Sequence, residues 1–248
     1  MRLGALLTPS DGADARHIAN CARTLESAGF DSIWSAHAMG RGFMMADPFV
    51  ALSVAAAVTE LEVGTAILQL PLYNPTDVAL KAFSLQQVAT GRLVLGVGAG
   101  STESDYLVHG EPFAGRFARF ETALSALRGT FTDGSAGAGN VTPWVGVQGG
   151  PPVFFGTWGK NVERAAREFD GWIASGMHRT PEQCAAAIAR YRSAGGGRAI
   201  VSTIRVMPGA DLGELKVRLG TFEAAGFDDA VVMILPGGPS YDAVRALL

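Results

Sequence analysis

Of 248 residues only two are cysteines and four are histidines, a scarcity that limits what the chain can do. Cys21 and Cys184 lie far apart, each inside a helical pattern and without metal or redox spacing. A disulfide framework and a thiolate metal centre are therefore excluded, no metal is expected, and both cysteines read as inert packing thiols. Charge is sparse and balanced as well, with 20 Lys and Arg against 23 Asp and Glu, net −3, scattered along the chain. That leaves no basic footprint for nucleic acid or for an anionic membrane surface. No apolar run reaches the roughly 18 residues of a membrane span, and the one in "MRLGALLTPSDG" is too short for a secretory signal. The expected setting is the cytoplasm, and the expected partner a small molecule.

What the chain does have is repetition. A short apolar run, an amphipathic stretch and a glycine recur along it. The runs are "LGALLT" (3–8), "SIWSA" (32–36), "EVGTAIL" (62–68), "RLVLGVG" (92–98), "PVFFG" (152–156), "GWIASG" (171–176), "AIVSTIRVM" (199–207) and "AVVMIL" (230–235). Helical spacing separates them. In the first such stretch Ile18, Cys21, Leu25 and Ala28 share one face, opposite Arg16, Asn20, Arg23 and Glu26. Gly29 in "SAGF", Gly226 in "AAGF" and Gly91 after "QQVAT" read as helix C-caps placed just before a strand. The strand runs are continuously apolar, as parallel strands buried on both faces must be. Eight strand–helix units in a chain of this length are the count of an α/β (β/α)8 TIM barrel, read here as one domain over 1–248. Only 129–152, "GTFTDGSAGAGNVTPWVGVQGGPP", lacks periodicity, and it reads as a long loop between the fourth helix and the fifth strand.

The glycines of "GRLVLGVGAGSTESDY" (91–106) could mark a phosphate-cradling turn. A dinucleotide fingerprint needs G-x-G-x-x-G opening a helix, with an acidic residue about 20 positions on at the end of the next strand. Here the spacing is G-x-G-x-G, position 101 is Ser, and Glu121 falls inside the helical "RFARFETALSAL". The alternative is the C-terminal end of a barrel strand, where sites are built. On that reading Gly96 relieves crowding inside the barrel, while Gly98 and Gly100 let something flat approach the backbone.

"GFDSIWSAH" (29–37), "VGTAILQLPLYNP" (63–75), "GRLVLGVGAGSTESDY", "RFARFETAL" (116–124) and "PPVFFGTWGKNVERAAREFDGWIASG" (151–176) together resemble the luciferase-like flavin-dependent monooxygenase and oxidoreductase superfamily. The resemblance spans nearly the whole chain. It implies a (β/α)8 barrel binding either FMN or an 8-hydroxy-5-deazaflavin of the F420 type at its C-terminal mouth. It also implies an unidentified small organic substrate, oxidised by hydride transfer or oxygen insertion. NAD(P)H or a flavin reductase would supply electrons to FMN, and the assembly would be a homodimer. A non-catalytic flavin-binding barrel is the alternative; a flavin-free aldolase or isomerase barrel would need a strand-end lysine, which no strand here carries.

The same resemblance assigns residues. His37 matches the histidine of a strand-2 "DH" or "EH" pair beside the ring, where imidazole suits proton transfer near neutral pH. Its neighbour Ala36 stands where many relatives carry a carboxylate. A non-prolyl cis peptide against the ring would join Ala66 to Ile67. Asn74, before Pro75, matches a polar pocket position, although a helix N-cap explains it equally. Gly156, Thr157, Trp158, Gly159 and Lys160 match a loop that holds the cofactor phosphate, consistent with an anion site at a helix N-terminus. Tyr106, His109 and Met177 fall on the substrate side. Met177, where sugar-phosphate-oxidising members carry Lys, and Ser101, where some members carry Glu, disfavour that subclass. Arg116 and Arg119 match a family pattern, yet a solvated helix face pairing with Glu121 or Glu111 accounts for them as well.

Overall fold

In the computed structural model, which describes residues 1–8 and 16–248, the eight apolar runs become the strands β1 (Arg2–Leu6), β2 (Ser32–Ser35), β3 (Glu62–Thr65), β4 (Leu93–Gly98), β5 (Val153–Gly156), β6 (Gly171–Ser175), β7 (Arg198–Val206) and β8 (Asp229–Ile234). Each pairs in parallel with the next, and β8 pairs in parallel with β1, so the sheet closes into an eight-stranded barrel. A short extension of β3, Leu68–Gln69, runs on beside Val97 and Gly98 of β4. Between the strands lie α1 (His17–Ser27), α2 (Pro48–Val58), α3 (Pro75–Val88), α4 (Glu103–Val108), α5 (Arg116–Asp133), α6 (Val162–Glu168), α7 (Pro181–Ser193) and α8 (Leu212–Ala225), and α9 (Tyr241–Arg245) follows β8.

Strand alternation divides the core in two. Leu3, Ile33, Val63, Leu95, Phe155, Trp172, Val201 and Val232 face outward into one continuous core with the helices. Leu6, Trp34, Ala66, Val94, Phe154, Ile173, Ile200 and Val231 fill the lumen. Trp34 sets the spacing of its layer: a Cβ on Gly64 would lie 2.4 Å from its ring and one on Gly4 2.8 Å from its Nε1. Below this layer Arg198 closes the floor. It makes two 2.7 Å hydrogen bonds to Asp229 and reaches Glu62 at 2.9 and 2.6 Å, while Arg2 adds longer contacts to both carboxylates. Burial works against the guanidinium's charge, but Asp229 and Glu62 outweigh it and hold Arg198 ionised.

Local signals place the helix ends. Asp47, Thr180 and Asp211 cap α2, α7 and α8 through side-chain oxygens, and Thr180 forms a reciprocal capping box with Gln183. Gly29 and Gly226 follow their helices in left-handed conformation, as their place before strands predicts. The segment 129–152 is shorter as a loop than its composition suggests. Helix α5 runs through Gly129 to Asp133, because Thr130 and Phe131 are buried and the Phe131 ring meets Phe83 edge-on at 5.4 Å. Beyond it a two-residue ladder pairs Ser135–Ala136 with Gly139–Asn140, and a 3-10 turn covers Val145–Val147. Packing here overrides the low helix propensity of Gly129.

Two glycine substitutions test this layering. A Cβ at Gly96 would lie 2.0 Å from the Thr65 carbonyl oxygen and 2.5 Å from Ile173 Cδ1. Gly96→Ala should therefore cost about 1–3 kcal/mol by urea unfolding. Gly129→Ala, with nothing within 4 Å of the added carbon, should stabilise by about 0.5–1 kcal/mol. Equal midpoints for the two variants would contradict the packing described.

Candidate active site

The mouth of the barrel is floored by Ile67. The Ala66–Ile67 peptide is cis, as the resemblance implies. The segment is tied to its neighbour by Ala66 N donating to Ser35 O at 2.8 Å and His37 N donating to Ile67 O at 3.1 Å. Its side chain lies across β4 and β5: a Cβ at Gly98 would be 2.9 Å from Ile67 Cδ1 and 2.8 Å from the Gly156 carbonyl oxygen, and one at Gly156 would be 2.4 Å from Ile67 Cγ2. The bare backbone at Gly98 and Gly100 is thus required by the chain's own side chains, whatever approaches from above. The space at Gly98 belongs to Ile67, and that at Gly100, which has φ +74°, belongs to Gln69, whose Oε1 would be 2.0 Å from an added Cβ. Gly96 meets the Thr65 carbonyl, as the crowding argument has it.

His37 stands beside this floor, 7% exposed, with its ring edge-on to Tyr73 at 4.8 Å and to His109 at 5.3 Å. Its Nδ1 is buried without a hydrogen-bond partner among the described residues. Burial, reinforced by the neighbouring His109, lowers its pKa to about 4, with Asp105 and Asp47 pulling weakly the other way. The imidazole is thus neutral at pH 7. Below it lies a polar network that sequence reasoning missed. The carboxylate of Asp105, fully buried on α4, accepts from Met39 N at 2.9 Å, Arg41 Nε at 2.9 Å and Gln69 Nε2 at 2.7 Å, and is paired a second time with Arg41. Gln69 also donates to the His37 carbonyl at 3.1 Å. Burial alone would raise the Asp105 pKa, but these donors outweigh it and hold the carboxyl below its usual value. One carboxylate so joins the segments after β2, β3 and β4. A lone Asp in "STESDY" carried no such signal, since its partners are 36 and 64 or more positions away.

The other expected residues divide. Tyr106 is wholly buried, donates to the Ala99 carbonyl and packs edge-on to Phe113 at 5.4 Å, so it is a core residue and not a substrate contact. Asn74 is the N-cap of α3, accepting from Thr76 N at 2.9 Å. Arg116 donates to the Gly100 carbonyl at 3.1 Å and Arg119 to the carbonyls of Ala114 and Pro112, while Glu121 pairs with Arg164, so the arginines brace the loop before α5. At the end of β5 the backbone turns through Gly159, at φ +68°, into the 3-10 turn Gly159–Asn161 that leads α6. Asn161 makes no side-chain cap there. Trp158 packs on the core beneath Arg179, whose guanidinium lies 4.8 Å from the ring, and Lys160 is exposed. Met177 follows β6, half-buried. Between β7 and β8 the register shifts between Val201 and Ile204, while β7 stays in register with β6 through Ser202. Thr203 has φ +60°, rare for a β-branched residue, and its Oγ1 is 3.2 Å from Ser202 Oγ. Away from His37, an open groove of about 620 Å³ separates the N-terminal ends of α7 and α8, lined by Glu182, Asp211, Glu214 and Arg218 among others.

The His37 environment has a measurable consequence. Its folded pKa of about 4 lies below an unfolded value of about 6.5, so the unfolded chain takes the proton first as pH falls. Stability is complete above about pH 6.5 and is lost down to about pH 4. Asp105 adds a loss lower down, as pH falls through its depressed folded value. Urea unfolding at pH 7 and pH 4.5 should show the native protein losing about 2 kcal/mol more than His37→Asn. Equal losses would show that His37 is not held neutral.

Known proteins agree with this architecture. A Mycobacterium tuberculosis protein assigned to the coenzyme F420-dependent oxidoreductases is 25% identical over 195 residues, which are 70% of this chain and 55% of its own length. An F420-dependent secondary alcohol dehydrogenase, solved with an F420-acetone adduct, superposes with a TM-score of 0.78 at 16% identity, covering 100% of this chain and 98% of that one. The FMN-bound oxygenating constituent of 3,6-diketocamphane monooxygenase from Pseudomonas putida superposes with a TM-score of 0.67 at 19% identity, covering 92% and 80%. At these identities the structural likeness is one of fold. The chain spans 33% to 56% of the length of the curated relatives it matches. The description of the luciferase-like monooxygenase family matches residues 2–212, and the chain belongs to that family.

Proposed function

We propose that the chain binds a flavin-type ring, FMN or the 8-hydroxy-5-deazaflavin, over Ile67 and Ala66 at the barrel mouth, and that it oxidises or reduces a small organic substrate there. The observation that carries this reading is His37, a neutral imidazole whose Nδ1 the chain leaves unpartnered beside an apolar floor. Buried polar atoms are ordinarily satisfied, and the exceptions collect at functional sites. Relatives named for the deazaflavin and a structural neighbour holding FMN support both rings, and we favour the deazaflavin. When bound, such a ring supplies hydride or electron transfer. NAD(P)H, a flavin reductase partner and a homodimer belong to the same proposal.

The residues would act as follows. Ile67, lodged against Gly98 and Gly156, gives the ring a rigid apolar support and excludes water beneath it. His37 presents a neutral imidazole that can accept or donate a hydrogen bond but does not add a charge to the pocket. The Asp105 network fixes the His37 carbonyl, through Gln69, and the Met39 amide two residues on. The amides of Thr157 to Lys160, ahead of α6 and uncapped by Asn161, would hold the cofactor phosphate. His109 and Met177 would face the substrate.

Fluorescence titration tests this directly: FMN or the deazaflavin should bind at micromolar concentration, and binding of neither overturns the proposal. Lys160→Ala should keep affinity within about tenfold, since an exposed charge contributes about 0–1 kcal/mol. Gly159→Val should weaken binding more. Because φ of +68° strains any β-branched residue, Gly159→Asn, which tolerates that conformation, is the matched control. His37→Asn should retain the cofactor while slowing turnover; unchanged turnover would make His37 a packing residue only.

A further inference from the structure

Strand β7 carries one residue too many. Val201 pairs with Ala230 and Ile204 with Val232, so Ser202 and Thr203 stand together opposite the single residue Val231. Val201 and Ile204 face the helices, whereas Ile200 and Val231 fill the lumen, so alternation counted from either side turns both Ser202 and Thr203 toward the lumen. Their hydroxyl oxygens lie 3.2 Å apart, and Thr203 holds φ +60°, which a β-branched residue rarely adopts. Ser202 is also the register partner of Ser175, two residues beyond the lumen-facing Ile173 of β6. Farther along β7, Arg205 is the register partner of Met233, which packs on the lumen cluster, so the arginine leaves the strand on that same face. It is exposed and makes no ion pair among the described residues. From α8, Arg218 donates to the Gly176 carbonyl at the end of β6. Its pKa is lowered chiefly by burial, and the charge of Arg205 adds to the effect.

The mouth is therefore two-sided. From β2 to β5 it presents Ala36, Ile67, Gly98 and Gly156, which offer no polar side chain, while β6 and β7 present three hydroxyls and a guanidinium. A left-handed threonine persists only where its surroundings impose it, and glycine, which takes that conformation freely, would bring no hydroxyl to the lumen. The planar fork of a guanidinium matches a carboxylate through two parallel N–H···O bonds. A phosphate dianion calls for a second facing charge, and Arg218 is turned to the Gly176 carbonyl instead. We propose that the β6–β7 wall is the subsite for a carboxylate on the substrate, with Arg205 pairing with that group and Ser202 and Thr203 orienting it, so that the substrate is a small organic acid whose apolar part lies toward Ile67. The proposal rests on the functional reading above for what happens to that acid, while recognition of the carboxylate belongs to the wall alone.

The test is titration of the cofactor-free protein with benzoate, and with benzamide as its uncharged counterpart, followed by 1H–15N NMR at the backbone amides of β6 and β7 and at the Arg205 side chain. Benzoate should saturate with its shifts concentrated on Ser175, Ser202, Thr203 and Arg205, and benzamide should not. Arg205→Gln should weaken benzoate binding by about tenfold or more and Arg205→Lys by less, because lysine keeps the charge but loses the fork. Lys216→Gln, at an exposed position of α8, controls for net charge and should leave the affinity unchanged. Thr203→Ser, which keeps the hydroxyl and drops the branching methyl, should bind as the native chain does, whereas Thr203→Ala should bind more weakly; circular dichroism checks the fold of each variant. Benzamide binding equal to benzoate, affinity indifferent to Arg205→Gln, or tighter binding of inorganic phosphate at the same residues would each overturn the proposal. In a second arm, benzoate should still bind when FMN or the deazaflavin is present, and displacement of the ring by benzoate would give the wall to the cofactor and overturn the assignment to substrate. Benzoate binding at Arg205 without binding of either ring would count against the functional reading and leave the carboxylate subsite standing.

Discussion

The contact on which the mouth depends is Ile67 lying across Gly98 and Gly156. It needs two strands without side chains at one level of the barrel, because a Cβ at either position would stand within 3 Å of the isoleucine. With Ile67 in place the lumen is sealed from below by the Trp34 layer and, beneath that, by Arg198 with its two carboxylates. Space is therefore left only above, where the strand ends carry polar groups. The way the lumen is filled leaves the C-terminal rim to the proposed chemistry.

Electrostatics at the rim follow from the same packing. His37 is crowded between Tyr73 and His109, so desolvation keeps it neutral, whereas Asp105 is also buried but gathers enough donors to remain charged. The contrast is the ordinary rule for buried groups: a partnered charge survives and an unpartnered one is given up. Because Asp105 reaches the segments after β2 and β3 from α4, the position of the His37 backbone depends on three strand ends at once.

Much of the fold was legible in the sequence, and less of the site. The eight apolar runs and the helix-stopping glycines are local signals, and they stand where periodicity put them. Gly129 misled because a glycine in a polar stretch looks like a loop until Thr130 and Phe131 are seen to be buried. At the mouth, Gly98 and Gly100 were visible as positions needing bare backbone, but what occupies the space is the chain's own Ile67 and Gln69, which only the folded geometry shows. Tyr106 looked like a rim residue and is core, since a short helix turns it inward. Gln69 and Asp105 lie inside the family-like segments without any spacing that singles them out, and Arg41 lies outside those segments. Their relation is made by closure of the barrel, and no spacing along the chain encodes it.

The most direct test of this account is a crystal structure of the chain soaked with FMN or with the deazaflavin. The account predicts ring density over Ile67, beside His37, with the phosphate against the amides of 157–160. Density confined to the groove between α7 and α8, or a ring that contacts neither Ile67 nor His37, would contradict it.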